Sequence, residues 1–145
     1  MQIIKEMTLA ALSTVGIAIL FQTPKRASIY GGLIGAFSWG VFYIGVDMTS
    51  NIIVSSFLGA ITVGMLGEVF ARYTKKPATL YVNPGIISLV PGAGMYYTML
   101  ALIENDYTTA IDKGAETFFI AAAIAMGIII SSAFSHSIRR VKSKI

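Results

Sequence analysis

The sequence predicts an all-α integral membrane protein with about five transmembrane helices, the fourth broken by Pro-Gly motifs. Composition is the first reason. Of 145 residues, 55% are hydrophobic and 12% charged, with a mean hydropathy of +0.74, whereas a soluble domain carries about a quarter charged residues. The second reason is order: long apolar runs alternate with short polar connections. The third is that the basic residues cluster in alternate connections, the pattern of topology signals. The length suits one compact bundle, a single transmembrane domain over residues 1–145. The net charge of +4 does not point to nucleic acid, because no long basic face interleaved with aromatics exists. The absence of cysteine excludes disulfides, thiolate metal sites and cysteine nucleophiles.

Span 1 is expected over about 7–21. It is short for a hydrocarbon core that takes roughly 20 helical residues, so Ile3, Ile4 and the Lys5 stem complete it. A cleaved signal peptide is the competing reading, but the exit Gln22–Arg26 is no small-residue cleavage site. Pro24 ends this helix beside Lys25 and Arg26. Span 2 covers about 28–46 with Tyr30, Trp39 and Tyr43, and the polar turn Asp47–Asn51 leads to span 3, about 52–73. Arg72, Lys75, Lys76 and Pro77 follow. Span 4 occupies about 78–103. An acidic connection with Glu104, Asp106, Asp112 and Glu116 then leads to span 5, about 117–135.

Of eleven Lys and Arg residues, nine fall on one side: Lys25, Arg26, Arg72, Lys75, Lys76, Arg139, Arg140, Lys142 and Lys144. The positive-inside rule makes that side cytoplasmic. The expectation is a multi-pass protein of the cell membrane, N-terminus out and C-terminus in. A four-span version with an interfacial N-terminal run is the alternative. Small residues recur at four-residue spacing in three spans: Gly31 and Gly35 beside Gly32, Ala36 and Gly40; Ser56, Ala60 and Gly64, then Glu68; and Ala123, Gly127, Ser131 and Ser135. Such stripes let membrane helices approach closely. They predict a packed bundle, and a homo-oligomer is compatible with them.

Chemistry concentrates in span 4. Pro84 and Pro91 each remove a backbone donor, and each is followed by glycine. Broken backbone at membrane depth needs protein or a wet cavity around it. Helical rise puts the Pro91–Gly94 interruption near or a little beyond the midplane. A half-helix starting there would aim unpaired N–H groups at a small carboxylate, with Gly92 and Gly94 reaching positive φ. The candidate substrate site is therefore Asn83, Gly85, Ser88, Pro91, Gly92, Gly94 and Tyr96. The bland alternatives are a structural kink, a helix cap at Asn83 and a back-bonded Ser88. Glu68 is read as the one carboxylate within an apolar span, either a coupling group or a salt-bridge partner of Arg72. His136 reads as interfacial. One histidine and no cysteine assemble no catalytic set and no metal or cofactor site, so an enzyme is not expected.

With these residues in view, the chain resembles the threonine/serine exporter (ThrE) family, and within it the YjjB-like small subunit. The resemblance runs over essentially the whole length. It is strongest over Ala71–Thr79 and Pro84–Gly94 with Tyr96, and extends to Pro24–Arg26 and Gly35–Trp39. Where relatives often carry proline, this chain has Ser88. The resemblance implies export of small polar carboxylates, threonine and serine or a dicarboxylate such as succinate. It also implies a larger homologous membrane subunit as partner. An odd number of spans fits that implication, since a similar half joined to this one would run inverted through the bilayer. A non-transport membrane scaffold or assembly subunit is the competing class, and a channel a third.

Overall fold

The computed structural model describes residues 2–142, with side chains described to Ser135, and every regular element among them is helical. In order these are α1 (Gln2–Leu20), α2 (Lys25–Thr49), α3 (Ile52–Thr74), α4 (Thr79–Ile86), a 3-10 turn (Ile87–Leu89), α5 (Gly92–Ile103) and α6 (Tyr107–Lys142). Four helices are long and apolar enough to cross a membrane, or five if the α4–α5 pair, bent by 51°, is counted as one span. His136 and the basic tail side chains lie outside the described residues.

Helix ends follow local chemistry. Asn51 caps α3, its Oδ1 accepting from the N–H groups of Ile53 at 3.0 Å and Val54 at 3.3 Å. Asp106 starts α6 by accepting from Thr109 N at 3.1 Å and Thr109 Oγ1 at 2.6 Å. Gln22, Ser50, Lys75 and Asn105 follow the C-terminal ends of α1, α2, α3 and α5, all in the left-handed region. One boundary differs from expectation. The stretch read as an acidic connection is helical from Tyr107, because the Asp106 cap nucleates it and Lys113 pairs with Glu116 one turn apart.

Glycine marks where helices touch. A side chain at Gly32 would strike Val15, and one at Gly40 would press on Met7, which joins α1 and α2 antiparallel. Between α3 and α6, Gly127 faces Ala60, Gly64 faces Ser131, and Ser135 Oγ reaches Glu68 at 2.7 Å. Both helices advance four residues per contact in the same direction, so α3 and α6 run parallel. The intervening chain must therefore return to the starting end, and α4–α5 does so by traversing the bundle. The small-residue stripes expected from sequence are this seam.

α4 is wedged between α2 and α3, with Val82 over Gly67, and Gly85 close to Ile34 and Val63. Pro84 lies inside α4, fully buried, and the helix tightens to 3-10 only after it. The chain breaks at Pro91, whose predecessor Val90 is extended with ψ 129°, as a residue before proline prefers. Leu89 packs on Gly59, about 6 Å from the middle of α3, and Pro91 follows two residues further from it. The interruption thus lies beyond the midplane of the bundle, because α4 and the 3-10 turn fill the core up to that height. Past it, α5 and the first turns of α6 form an antiparallel hairpin, Gly94 against Thr117 and Gly114 against Thr98. By the α3–α6 register, Ile52 is level with position 119, so residues 107–118 continue about 18 Å past the start of α3.

Candidate functional site: a cavity at the broken helix

The break opens a cavity of about 330 Å³ lined by the Ser88–Gly94 stretch, with Trp39, Ser56, Tyr97, Lys113, Glu116 and Thr117 among its other walls. α5 begins here with no side-chain cap; the Gly92 N–H donates to Val90 O at 2.8 Å and the Met95 N–H to Pro91 O at 3.1 Å, which leaves those of Ala93 and Gly94 as the open donors of the first turn. That terminus carries partial positive charge. On the opposite wall Lys113 Nζ donates to Glu116 Oε2 at 3.2 Å, and both side chains are about half exposed. The cavity therefore offers groups of both signs, at the end of the bundle away from Lys25, Arg72 and Lys75.

Four of the seven candidate residues gather here: Ser88, Pro91, Gly92 and Gly94. Ser88 Oγ donates back to Gly85 O at 3.1 Å. The other three lie elsewhere. Asn83 is exposed on α4 and caps nothing. Gly85 is buried, where a side chain would stand 3.0 Å from Ile34 and 3.2 Å from Val63. Tyr96 is 62% exposed and leans edge-on against Tyr97, the tyrosine that lines the cavity. One expectation is corrected outright: no described glycine has positive φ. Gly92 and Gly94 are helical, the bend being made by Val90 and Pro91. A Cβ added at Gly92 has nothing within 4 Å, whereas one at Gly94 would run into Thr117 Oγ1.

At the basic end, Glu68 and Arg72 form no direct ion pair. Ser135 stands between them, its hydroxyl donating to Glu68 Oε2 at 2.7 Å and accepting from Arg72 Nη2 at 2.6 Å. Arg72 Nη2 also donates to Ser135 O at 2.9 Å. A direct salt bridge was the simpler sequence reading; it gives way because the α3–α6 register delivers a hydroxyl into the gap. The cavity beside this network, about 640 Å³, is lined by Lys75 and Lys76 as well.

Sequence reasoning missed a second acid. Glu6, half-buried on α1, accepts from Trp39 Nε1 at 3.2 Å. With Ser13, Trp39 and Ser88 it lines a cavity of about 290 Å³. Glu68 is thus not the only carboxylate on an apolar helix. Completing span 1 from Ile3 already placed Glu6 on an apolar helix, and the lone Trp39 was the available signal for its partner.

No solved structure matches the chain. A family model described as Threonine/Serine exporter, ThrE, matches residues 6–134. That match includes the break, Glu6, Glu68 and the α3–α6 seam up to the residue before Ser135, and the family is one of membrane transporters. The chain therefore belongs to the threonine/serine exporter (ThrE) family, with the exporter-type transport role and multi-pass membrane location that membership carries.

Proposed function

We propose that this chain is the small membrane subunit of a secondary exporter of small polar carboxylates, working with a larger homologous subunit. The observation that carries the reading is the uncapped start of α5 opening onto a cavity that also holds Lys113 and Glu116. A carboxylate is attracted to both the helix terminus and the lysine. Threonine and serine fit a site with groups of both signs, and a dicarboxylate such as succinate is the second substrate class. Discontinuous helices with exposed half-helix ends are a recurrent way for transporters to hold substrates. In this reading the protein lies in the cell membrane with its C-terminus cytoplasmic, in keeping with the basic connections, so the cavity lies toward the exterior. Glu68 is its coupling carboxylate, tied to α6 through Ser135. The partner covers apolar faces such as Met95, Met99 and Ile103 on α5.

The test is efflux from substrate-loaded vesicles holding the chain with and without the larger subunit. Gly92→Leu is the decisive variant, because position 92 has open space and its side chain would fill the cavity without disturbing a helix contact. Efflux should fall about tenfold or more, the loss of one charge-assisted contact, at unchanged complex yield. Normal efflux in fully assembled Gly92→Leu would place the site elsewhere.

A further inference from the structure

The geometry around Glu6 assigns it a role the family does not state. We infer that Glu6, with Trp39, Ser13 and Ser88, binds the ammonium group of an α-amino acid substrate. The inference rests on the exporter reading above and narrows it to zwitterions.

Height is the first argument. Met7 packs against Gly40, and Gly59 is close to both Leu89 and Ser38 O. Glu6, Trp39 and Gly59 are therefore nearly level, about 6 Å from the middle of α3. A half-buried carboxylate on an apolar helix is a natural partner for a cation. Glu6 has one neutral donor, the Trp39 indole N–H, on Oε2; among the described residues Oε1 has no partner. The one direct ion pair among those residues is Lys113–Glu116, on another wall. Glu6 lines an open cavity with one oxygen unbonded among the described residues, so an outside cation can reach it.

The surroundings favour an organic ammonium. Ser13 and Ser88 bring hydroxyl oxygens that can accept its N–H groups, and Trp39 brings an aromatic surface that attracts it. Trp39 and Ser88 also line the cavity at the break. One wall thereby serves both places, the ammonium toward Glu6 and the carboxylate toward the start of α5. Ser88 stands at that junction, its hydroxyl held by Gly85 O.

The experiment compares threonine with 3-hydroxybutyrate, which keeps the carboxylate and hydroxyl and lacks the amine. Vesicles holding the chain and the larger subunit are loaded with both, and the ratio of their efflux is read. Wild type should favour threonine, and Glu6→Gln should lower that preference about tenfold or more, the usual weight of a hydrogen-bonded charge. Glu6→Asp should retain more of it. An unchanged ratio in assembled Glu6→Gln overturns the inference while leaving the exporter reading intact. Equal loss of gradient-driven efflux of both compounds, with exchange preserved, also overturns it, because Glu6 would then carry protons. Efflux of neither compound by wild type overturns this inference, and succinate efflux from the same vesicles then decides the exporter reading separately. If Glu6→Gln fails to assemble, Ser13→Ala and Ser88→Ala read the same ratio, each expected to lower it about threefold. No change in either overturns the assignment.

Discussion

Pro84-Gly85 and Pro91-Gly92 are the same dipeptide in the same broken span, and they behave oppositely. At Pro84 the helix continues, because α2 and α3 enclose it and Gly85 lies hard against Ile34 and Val63. At Pro91 the preceding Val90 turns extended, and Gly92 faces open space. Proline removes a donor in both places. The enclosing helices decide whether the chain goes straight on or bends. A Pro-Gly pair in a membrane segment therefore marks a possible break, and the glycine's surroundings tell which kind it is.

The largest effect that can break this contrast is at Gly85. Gly85→Leu should overpack the core by about 3 kcal/mol and remove assembled protein, where Gly92→Leu loses efflux alone. Detergent-extracted yield of the two variants side by side is the measurement, and a well-assembled Gly85→Leu would end the distinction. Smaller and sharper is Gly94, which belongs to the packed class despite its place beside the cavity. Gly94→Ala should cost about 1 kcal/mol through its clash with Thr117. Adding Thr117→Ala should recover most of that in thermal stability; strictly additive losses would show that the two positions do not touch.

The smallest effect lies at the tip of the hairpin. Hydrogen bonds from the Thr109 side chain and backbone hold Asp106 below its ordinary value of 3.8. A depressed carboxylate stabilises the fold above its unfolded pKa and loses that contribution as pH falls through the folded value. The difference in melting temperature between wild type and Asp106→Asn should be present at neutral pH and vanish well below 3.8. A difference that persists in acid would mean that the cap does not depend on ionised Asp106.

Much of this molecule is legible in the chain because hydrophobic length and basic clustering are one-dimensional signals. The four long apolar helices and the bent α4–α5 pair follow from the first, and the stripes of α3 and α6 from small residues at four-residue spacing. What the stripes could not show was register: only the packed bundle brings Ser135 between Glu68 and Arg72. Height was hidden too, since the break's depth depends on how far α4 is wedged between its neighbours. Polar residues near the ends of spans were the other blind spot. The Asp112–Glu116 stretch looks like a connection by composition, yet a cap at Asp106 makes it helix. Asn83 shows the converse, a polar residue in an apolar run that turns outward.

The four left-handed residues at the helix ends have a use in engineering. Gln22, Ser50, Lys75 and Asn105 hold φ between 50° and 60°, a conformation that costs an L-residue roughly 1 kcal/mol or more relative to glycine. All fourteen glycines of the chain are placed elsewhere. Glycine at these turns would relieve backbone strain, at Asn105 with loss of the 3.3 Å hydrogen bond that its Oδ1 accepts from Tyr107 OH, while Lys75 also lines the cavity at the basic end. Such changes add up when the sites are far apart. Ser50, Gln22 and Asn105 are thus places where a longer-lived detergent-solubilised form of the protein can be made with its transport path untouched.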